Sequence, residues 1–161
     1  MKNIAIAFGS GGHKTQAVRL NEYLQSKGIA GKDTTYFIIE SDVEGNGFYN
    51  SPIYISPIRH KYSRLKTLLM LIKIPFNVLR LFFYLKIHDI SLVISPGPGC
   101  AIVVGIACKL SGAKFIFIES WSRFTKLSIS GKLSSILADE FLVQNKSLLR
   151  IKSDAKYVGR L

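Results

Sequence analysis

Residues 3–13 read NIAIAFGSGGH, and this stretch contains the features that decide the fold. The apolar run over residues 3–8 has the pattern of a buried parallel strand, and it ends in glycines. Residues 14–27 then carry apolar side chains at helical spacing, and Gly28 follows as a stop signal. A strand, a glycine turn and a helix in this order are typical of the first unit of an α/β fold.

The rest of the chain continues this alternation. Apolar and β-branched runs predict further strands at residues 34–39, 53–56, 91–95, 114–118, 140–143 and 156–158. Helical patterns occupy residues 65–87, 100–110 and 132–138, with a helical turn at 146–149. We predict a single Rossmann-like α/β domain over residues 1–161, with a parallel sheet covered by helices. Its functional edge would be formed by the loops at residues 9–13, 95–99 and 119–125, at the carboxyl ends of strands.

The composition narrows the class of protein. A chain of 161 residues with 48% hydrophobic and 20% charged residues is one folded domain and not a disordered segment. The net charge of +12 suggests an anionic partner. Cys100 and Cys108 are too far apart on a helix for a disulfide, so we expect buried thiols in a reducing compartment and no metal ligands. The first residues do not resemble a signal peptide, which favours a cytoplasmic location.

The first loop contains Gly9, Ser10, Gly11 and Gly12, followed by His13. Glycines let the backbone approach an anion, and the following helix offers free N–H groups. The loop is neither a dinucleotide fingerprint nor a P-loop, and the glycines alone fit a plain strand-to-helix turn equally well. His13 favours a functional site, because a histidine at this edge is suited to act as a general base near neutral pH.

The second and third loops carry further candidate residues. Ser95, Gly97 and Gly99 lie in a proline-rich turn before a helix, whose N-terminus is a possible second phosphate site. Glu119 follows a buried strand, where it could orient a sugar hydroxyl or support a base, and Arg123 could pair with a phosphate. A structural ion pair between Glu119 and Arg123 is the alternative, and it does not exclude the functional interpretation.

Residues 65–87 form an apolar and basic segment. The chain has no acidic residue between Glu44 and Asp89, but it has seven basic ones there: Arg59, Lys61, Arg64, Lys66, Lys73, Arg80 and Lys86. On one continuous helix, a single stripe would hold Lys66, Met70, Lys73, Asn77, Arg80 and Tyr84. Leucine, isoleucine and phenylalanine, including Phe76, Phe82 and Phe83, would cover most of the remaining surface.

This pattern favours a helix that lies on an anionic membrane surface. Spanning the bilayer would place Lys73 and Arg80 in hydrocarbon at a cost of roughly 2.5–3.5 kcal/mol each. In the interface the cations meet headgroups while the apolar side chains enter the acyl boundary. Pro75 would kink or split the helix. A helix in the core or in an oligomer interface is the alternative. Binding to nucleic acid fits less well, because no nucleic-acid motif is present.

Taken together in order and spacing, five motifs resemble one family, the membrane-anchoring subunit of bipartite glycosyltransferases. The motifs are the loop over residues 9–13, the turn over 95–99, residues 117–120 with Arg123, residues 128–132 and residues 138–144. The eukaryotic member of this family helps to add the second GlcNAc to the dolichol-linked precursor of N-glycans, and bacterial members serve capsule and exopolysaccharide assembly. The resemblance covers nearly the whole chain.

The resemblance implies the N-terminal half of a split GT-B enzyme, similar to the GlcNAc transferase that forms lipid II. This half would bind a lipid-diphosphate-linked saccharide acceptor at the cytoplasmic face of the cell membrane, as a peripheral or monotopic protein anchored by residues 65–87. A separate subunit would bind the UDP-sugar, and the pair would carry out an inverting transfer without a metal or cofactor. His13 and Glu119 would be the catalytic residues, and the glycine loops, with Ser10, Ser95 and Arg123, would bind the acceptor. A non-catalytic scaffold that recruits and activates the partner is the alternative.

Overall fold

The computed structural model describes residues 3–41, 43, 52–57, 72–97 and 99–160. Within these residues, seven strands form one parallel sheet in the order β3-β2-β1-β4-β5-β6-β7. The strands are β1 (Asn3–Phe8), β2 (Thr35–Glu40), β3 (Ile53–Ile55), β4 (Ile90–Gly97), β5 (Lys114–Ile118), β6 (Glu140–Val143) and β7 (Lys156–Tyr157). The predicted Rossmann-like sheet is confirmed.

Helices cover both faces of this sheet. They are α1 (Gly12–Ser26), α2 (Ile74–Ile87), α3 (Cys100–Ser111) and α4 (Ile129–Leu137), with short 3-10 helices at Lys32–Thr34 and Lys146–Arg150. Successive side chains of β1 alternate between two apolar cores, because neighbouring residues of a strand face opposite sides. Ile4, Ile6 and Phe8 pack with α1, whereas Ala5 and Ala7 lie in the core that holds α2 and α3.

Some predicted boundaries were wrong by two or three residues; helix α1, for example, begins at Gly12 and not at residue 14. Strand β4 continues to Gly97 and does not stop at residue 95, because Phe8 of β1 still pairs with Gly97. Helix α4 begins at Ile129, three residues before the predicted start. Its N-cap is Ser128, whose hydroxyl accepts a hydrogen bond from the Gly131 N–H at 2.8 Å.

The apolar basic segment is described from residue 72 onward, so its first part, including Lys66, lies outside the described residues. Helix α2 begins at Ile74, and Pro75 occupies its first turn. A proline is tolerated there because the first N–H groups of a helix have no partner within the helix. The prediction that Pro75 kinks or splits a longer helix is not tested, because the segment before residue 72 lies outside the described residues.

The predicted stripe on this helix is not a single surface. Asn77 is buried, and Tyr84 is half-buried with its ring edge-on to Tyr36 at 6.3 Å between centroids. Val78, Leu81 and Leu85 also face the core, so the helix packs on the sheet as the alternative interpretation required.

Most of the described residues predicted to dock on a membrane are exposed, on α2 or at its N-cap. Lys73, Phe76, Arg80 and Phe83 are exposed, and Phe82 is half-buried beside Phe83. Among the described residues, no helix combines the length and hydrophobicity that a bilayer crossing needs.

Candidate functional site

Three predicted loops meet at one edge of the sheet, because β1, β4 and β5 are neighbours and their carboxyl ends lie side by side. The loops border a cleft of about 660 Å³, a size suited to a small-molecule ligand. Six of the residues predicted for the site line this cleft: Ser10, His13, Gly97, Gly99, Glu119 and Arg123.

The cleft histidine is anchored through its inner ring nitrogen. His13 Nδ1 lies 2.8 Å from the carbonyl oxygen of Pro96. A carbonyl oxygen can only accept a hydrogen bond, so Nδ1 carries the proton and the neutral ring has its lone pair on Nε2. The contact links the start of α1 to the end of β4, and it leaves Nε2 as the basic atom.

Gly97 makes room for this imidazole. Its φ is +90°, a conformation that side chains rarely adopt, and a Cβ there would lie 3.4 Å from Cε1 of His13. Gly97 was predicted to help bind an anion. Its lack of a side chain also lets the His13 ring lie against the turn at the end of β4.

Burial lowers the pKa of His13 below its usual 6.5, because a charged imidazolium loses solvation in the cleft. The hydrogen bond to Pro96 and the charge of Glu119 act in the opposite direction, and Arg123 lowers the pKa further. Burial is the largest effect, so the ring is neutral at physiological pH and able to accept a proton.

Glu119 lines the cleft but directs its carboxylate to its own loop. It is 1% exposed and accepts hydrogen bonds from the Ser120 N–H at 2.9 Å and from the N–H and hydroxyl of Ser128 at 3.0 and 3.2 Å. Among the described residues no ion pair joins it to Arg123. Glu119 thus joins the two ends of the 119–128 loop.

The absence of a side chain at Gly131 is required by this arrangement. A Cβ at that position would overlap the Glu119 carboxylate, and it would also lie 2.9 Å from the Ser128 hydroxyl. The first turn of α4 therefore closes tightly over the buried carboxylate.

The segment that carries Arg123 is held from outside the cleft. The Asn145 side-chain amide donates to the carbonyls of Trp121 and Arg123 at 2.7 and 2.6 Å. Two guanidinium groups lie over the Trp121 ring, that of Arg19 at 5.4 Å and that of Arg160 at 4.9 Å from its centroid. These contacts fix the backbone from which Arg123 reaches the cleft.

Ser95 does not line the cleft. It is fully buried, and its hydroxyl donates to the carbonyl of Ala7 at 2.8 Å and accepts from the Gly97 N–H at 3.2 Å. The side chain faces the neighbouring strand β1, so it joins the two turns and is not available to a ligand.

The glycines of the first loop differ in exposure. Gly9 is buried at the end of β1, whereas Gly11 and Gly12 are exposed at the start of α1. Gly11 is the N-cap with φ of +74°, and the helix start has neither a side-chain cap nor an acidic residue in its first turn. This helix terminus retains the electrostatic character that favours an anion.

Glu40 is a cleft residue that sequence reasoning missed. It ends β2, is 5% exposed, and accepts a hydrogen bond from the Cys100 N–H at the start of α3 at 3.0 Å. The second phosphate expected at this helix start would therefore meet a carboxylate. The sequence contained one signal for this role, because Glu40 is a carboxylate at the end of a strand. Its hydrogen-bond partner, Cys100, lies 60 residues away in the sequence, so the contact itself could not be predicted.

A buried amide pair connects the first and third loops. Gln144 Nε2 donates to Gln16 Oε1 at 3.1 Å and to the Glu119 carbonyl at 3.0 Å, and both glutamines are almost completely buried. Gln16 lies one turn after His13 on α1, so the pair fixes the distance between the histidine helix and the glutamate loop.

Comparison with known proteins gives consistent results. The sequence model of a family described as "Oligosaccharide biosynthesis protein Alg14 like" matches residues 4–161. The UDP-N-acetylglucosamine transferase subunit alg14 of Schizosaccharomyces pombe is 27% identical over 178 residues, covering 98% of this chain and 82% of that protein. The human subunit of the same name is 27% identical over 182 residues, covering 99% and 82%.

Two bacterial proteins of solved structure have a similar fold. Acinetobacter baumannii MurG superimposes with a TM-score of 0.66 at 17% identity, and Staphylococcus aureus MnaA, solved with UDP, with 0.65 at 14%. The matches cover 89% and 99% of this chain but only 41% and 43% of those chains, so this chain spans about two fifths of their length. These likenesses show the fold, and the family match over nearly every residue shows that the chain belongs to the Alg14-like family of oligosaccharide biosynthesis proteins.

Proposed function

We propose that this protein is the acceptor-binding subunit of a two-component glycosyltransferase, and that it transfers a sugar only together with a nucleotide-sugar-binding partner. The observation that supports this most directly is His13, a neutral imidazole fixed by Pro96 and placed in a cleft beside an uncapped helix start and Arg123. Such a site combines a base for a hydroxyl group with positive potential for a phosphate.

The names of the curated relatives support the need for a partner. The relatives from Schizosaccharomyces pombe and human are each named as a subunit of UDP-N-acetylglucosamine transferase, and the match covers 82% of each of them. The remaining part of a GT-B-type active site, with the UDP-sugar, would come from the second subunit. UDP-N-acetylglucosamine is the donor that the relatives' names suggest.

In the proposed mechanism, the acceptor diphosphate binds the exposed amides of Gly11 and Gly12 at the start of α1, and Arg123 binds it from the opposite loop. Nε2 of His13 accepts the proton of the acceptor hydroxyl while the oxygen attacks the anomeric carbon and UDP leaves with inversion. Glu119 positions the loop that carries Arg123, which is a narrower role than the catalytic one that the family resemblance implies.

We further propose that the protein lies on the cytoplasmic face of the cell membrane through α2. Lys73 and Arg80 would meet anionic headgroups, and Phe76 and Phe83 would enter the acyl boundary, since all four are exposed. The product would be a lipid-linked saccharide for oligosaccharide assembly, or for capsule or exopolysaccharide assembly.

Reconstitution with the partner subunit tests the proposal. We expect transfer from UDP-N-acetylglucosamine to a lipid-diphosphate acceptor by the two subunits together and by neither alone. We expect Arg123→Gln to raise the KM for the acceptor with little effect on the KM for the UDP-sugar. If Arg123→Gln and His13→Ala complexes both turn over like the wild type, the chain is a scaffold for a partner that holds the whole active site.

A further inference from the structure

Helix α4 carries a ridge of large apolar side chains that the fold does not bury. Ile129, Leu133 and Ile136 are 75%, 44% and 78% exposed and follow each other at intervals of four and three residues, so they share one face. Gly131 and Ser134 face inward and are buried, so the orientation of the helix is fixed by packing. We call Ile129, Leu133 and Ile136 the α4 ridge.

The ridge lies in the same layer as the exposed face of α2. Both helices pack against α3, which is nearly buried between them, and Leu110 at the end of α3 is 62% exposed. On α2, Phe76, Leu79, Phe83 and Ile87 are exposed on the side away from the sheet. One side of the molecule therefore presents apolar side chains from three adjacent helices, and an apolar surface of this extent indicates an interaction site.

The charge of this layer identifies the kind of surface that it fits. The three helices, Ile74–Ile87, Cys100–Ser111 and Ile129–Leu137, contain no Asp or Glu, and their charged residues are Arg80, Lys86, Lys109 and Lys132. Asp139, just after α4, pairs with Lys109 at 2.8 Å. Helix α1 on the opposite face carries Glu22 and fewer exposed apolar residues. Apolar side chains among cations fit an anionic lipid bilayer better than the charge-poor apolar core of a protein interface.

The ridge also reaches the cleft. Ile129 and Leu133 line it, together with Ile102 of α3. We propose that α4 is a second membrane contact alongside α2, and that together they place the mouth of the cleft at the bilayer surface. This inference rests on the proposed function, because it explains how an acceptor that stays embedded in the membrane reaches His13.

Vesicle flotation tests the inference in the full-length protein. The probe is vesicles of phosphatidylcholine with or without phosphatidylglycerol, and the variant is Ile136→Ser, because Ile136 is the ridge residue that does not line the cleft. We expect vesicle binding to fall by roughly tenfold with an unchanged Tm, since this side chain is already exposed in the folded state. The matched control is Val18→Ser with Tyr23→Ser on α1, which are also exposed but lie on the opposite face, and it should float like the wild type.

Three results would overturn the inference. They are unchanged flotation of the α4 variant, loss of co-purification with the partner subunit while flotation is unchanged, and a change of oligomeric state as the only effect. Transfer to a short-chain, water-soluble acceptor separates this inference from the proposed function. The α4 variant should retain that activity, whereas a wild-type complex that transfers to no acceptor would contradict the proposed function and leave the flotation result valid.

Discussion

Nδ1 of His13 and the carbonyl oxygen of Pro96 lie 2.8 Å apart and join the turn after β1 to the turn after β4 across 83 residues of sequence. The contact fixes the ring and sets its tautomer, so the basic nitrogen is Nε2. Both consequences can be tested separately, because the anchoring nitrogen and the basic nitrogen are different atoms.

The first prediction concerns pH. Burial lowers the pKa of His13 below 6.5, so we expect kcat/KM of the reconstituted complex to be level above about pH 6.5 and to fall only at more acidic pH. The same lowered pKa makes the free energy of unfolding depend on pH, because the unfolded chain binds a proton on His13 more readily than the folded chain. The stability that depends on a neutral His13 is therefore present above pH 6.5 and is lost as the pH falls through the lowered pKa.

A pH series of kcat/KM, with His13→Asn alongside, checks this prediction. An acidic limb that persists unchanged in the variant would assign the titration to another group.

The second prediction concerns Gly97. Gly97→Ala and Gly112→Ala each place a side chain at positive φ, at +90° and +80°, so each should lose about 1–2 kcal/mol of unfolding free energy. Only Gly97 touches His13, whereas a Cβ at Gly112 meets nothing within 4 Å. We expect the transfer rate to drop about tenfold or more in Gly97→Ala and to stay near wild type in Gly112→Ala. Equal transfer rates in the two variants would show that the packing of His13 on Gly97 does not affect transfer.

The strands and helices could be predicted from the sequence, because each is determined by a local pattern of residues. Residues 3–8 form a strand through their own apolar run, and Cys100–Ser111 forms a helix through its own periodicity. The order of strands in the sheet could not be read from the sequence, since β1 pairs with β4, which begins 82 residues after the end of β1. His13, Gly97, Glu119 and Arg123 were placed at one edge because the carboxyl ends of parallel strands share that edge.

The roles of individual site residues were less predictable, because they depend on non-local partners. Ser95 faces Ala7, and Glu40 caps a helix that begins 60 residues later. Gln16 looks like an ordinary polar residue of an amphipathic helix until Gln144 is found against it in the core. The predicted membrane stripe failed at Asn77 and Tyr84 because a helical wheel does not show which face the sheet covers.

The third prediction concerns Glu119 and Gly131. Glu119→Ala leaves two loop amides and the Ser128 hydroxyl without this acceptor and should cost roughly 2–4 kcal/mol. Gly131→Ala introduces an overlap with the Glu119 carboxylate and should cost about 1–3 kcal/mol. In the double variant the overlap with the Glu119 carboxylate is gone. Urea denaturation should therefore show a loss of unfolding free energy smaller than the sum of the losses in the two single variants. Strict additivity would mean that the two groups do not meet in solution.

The fourth prediction concerns the buried amide pair. Gln144→Leu and Gln16→Leu should each destabilise the protein by about 1–2 kcal/mol, with a coupling of about 1 kcal/mol between them in a double-mutant cycle. Because the pair sets the spacing between α1 and the Glu119 loop, kcat should fall severalfold in each variant while the KM for the UDP-sugar stays unchanged. Wild-type kcat in either variant, measured under conditions where it is fully folded, would limit the pair to a structural role.

The most direct test of the central claim is the transfer rate of the complex with His13→Asn and, beside it, His13→Gln. The asparagine amide can reproduce the Nδ1 hydrogen bond to Pro96 but supplies no base at Nε2, whereas the longer glutamine amide does not match that anchor. We expect both variants to lose kcat by about 10²- to 10⁴-fold and His13→Asn to keep the wild-type KM for the lipid-diphosphate acceptor. A His13→Asn complex that retains the wild-type kcat would contradict the account, because His13 would then only orient the acceptor or the loop.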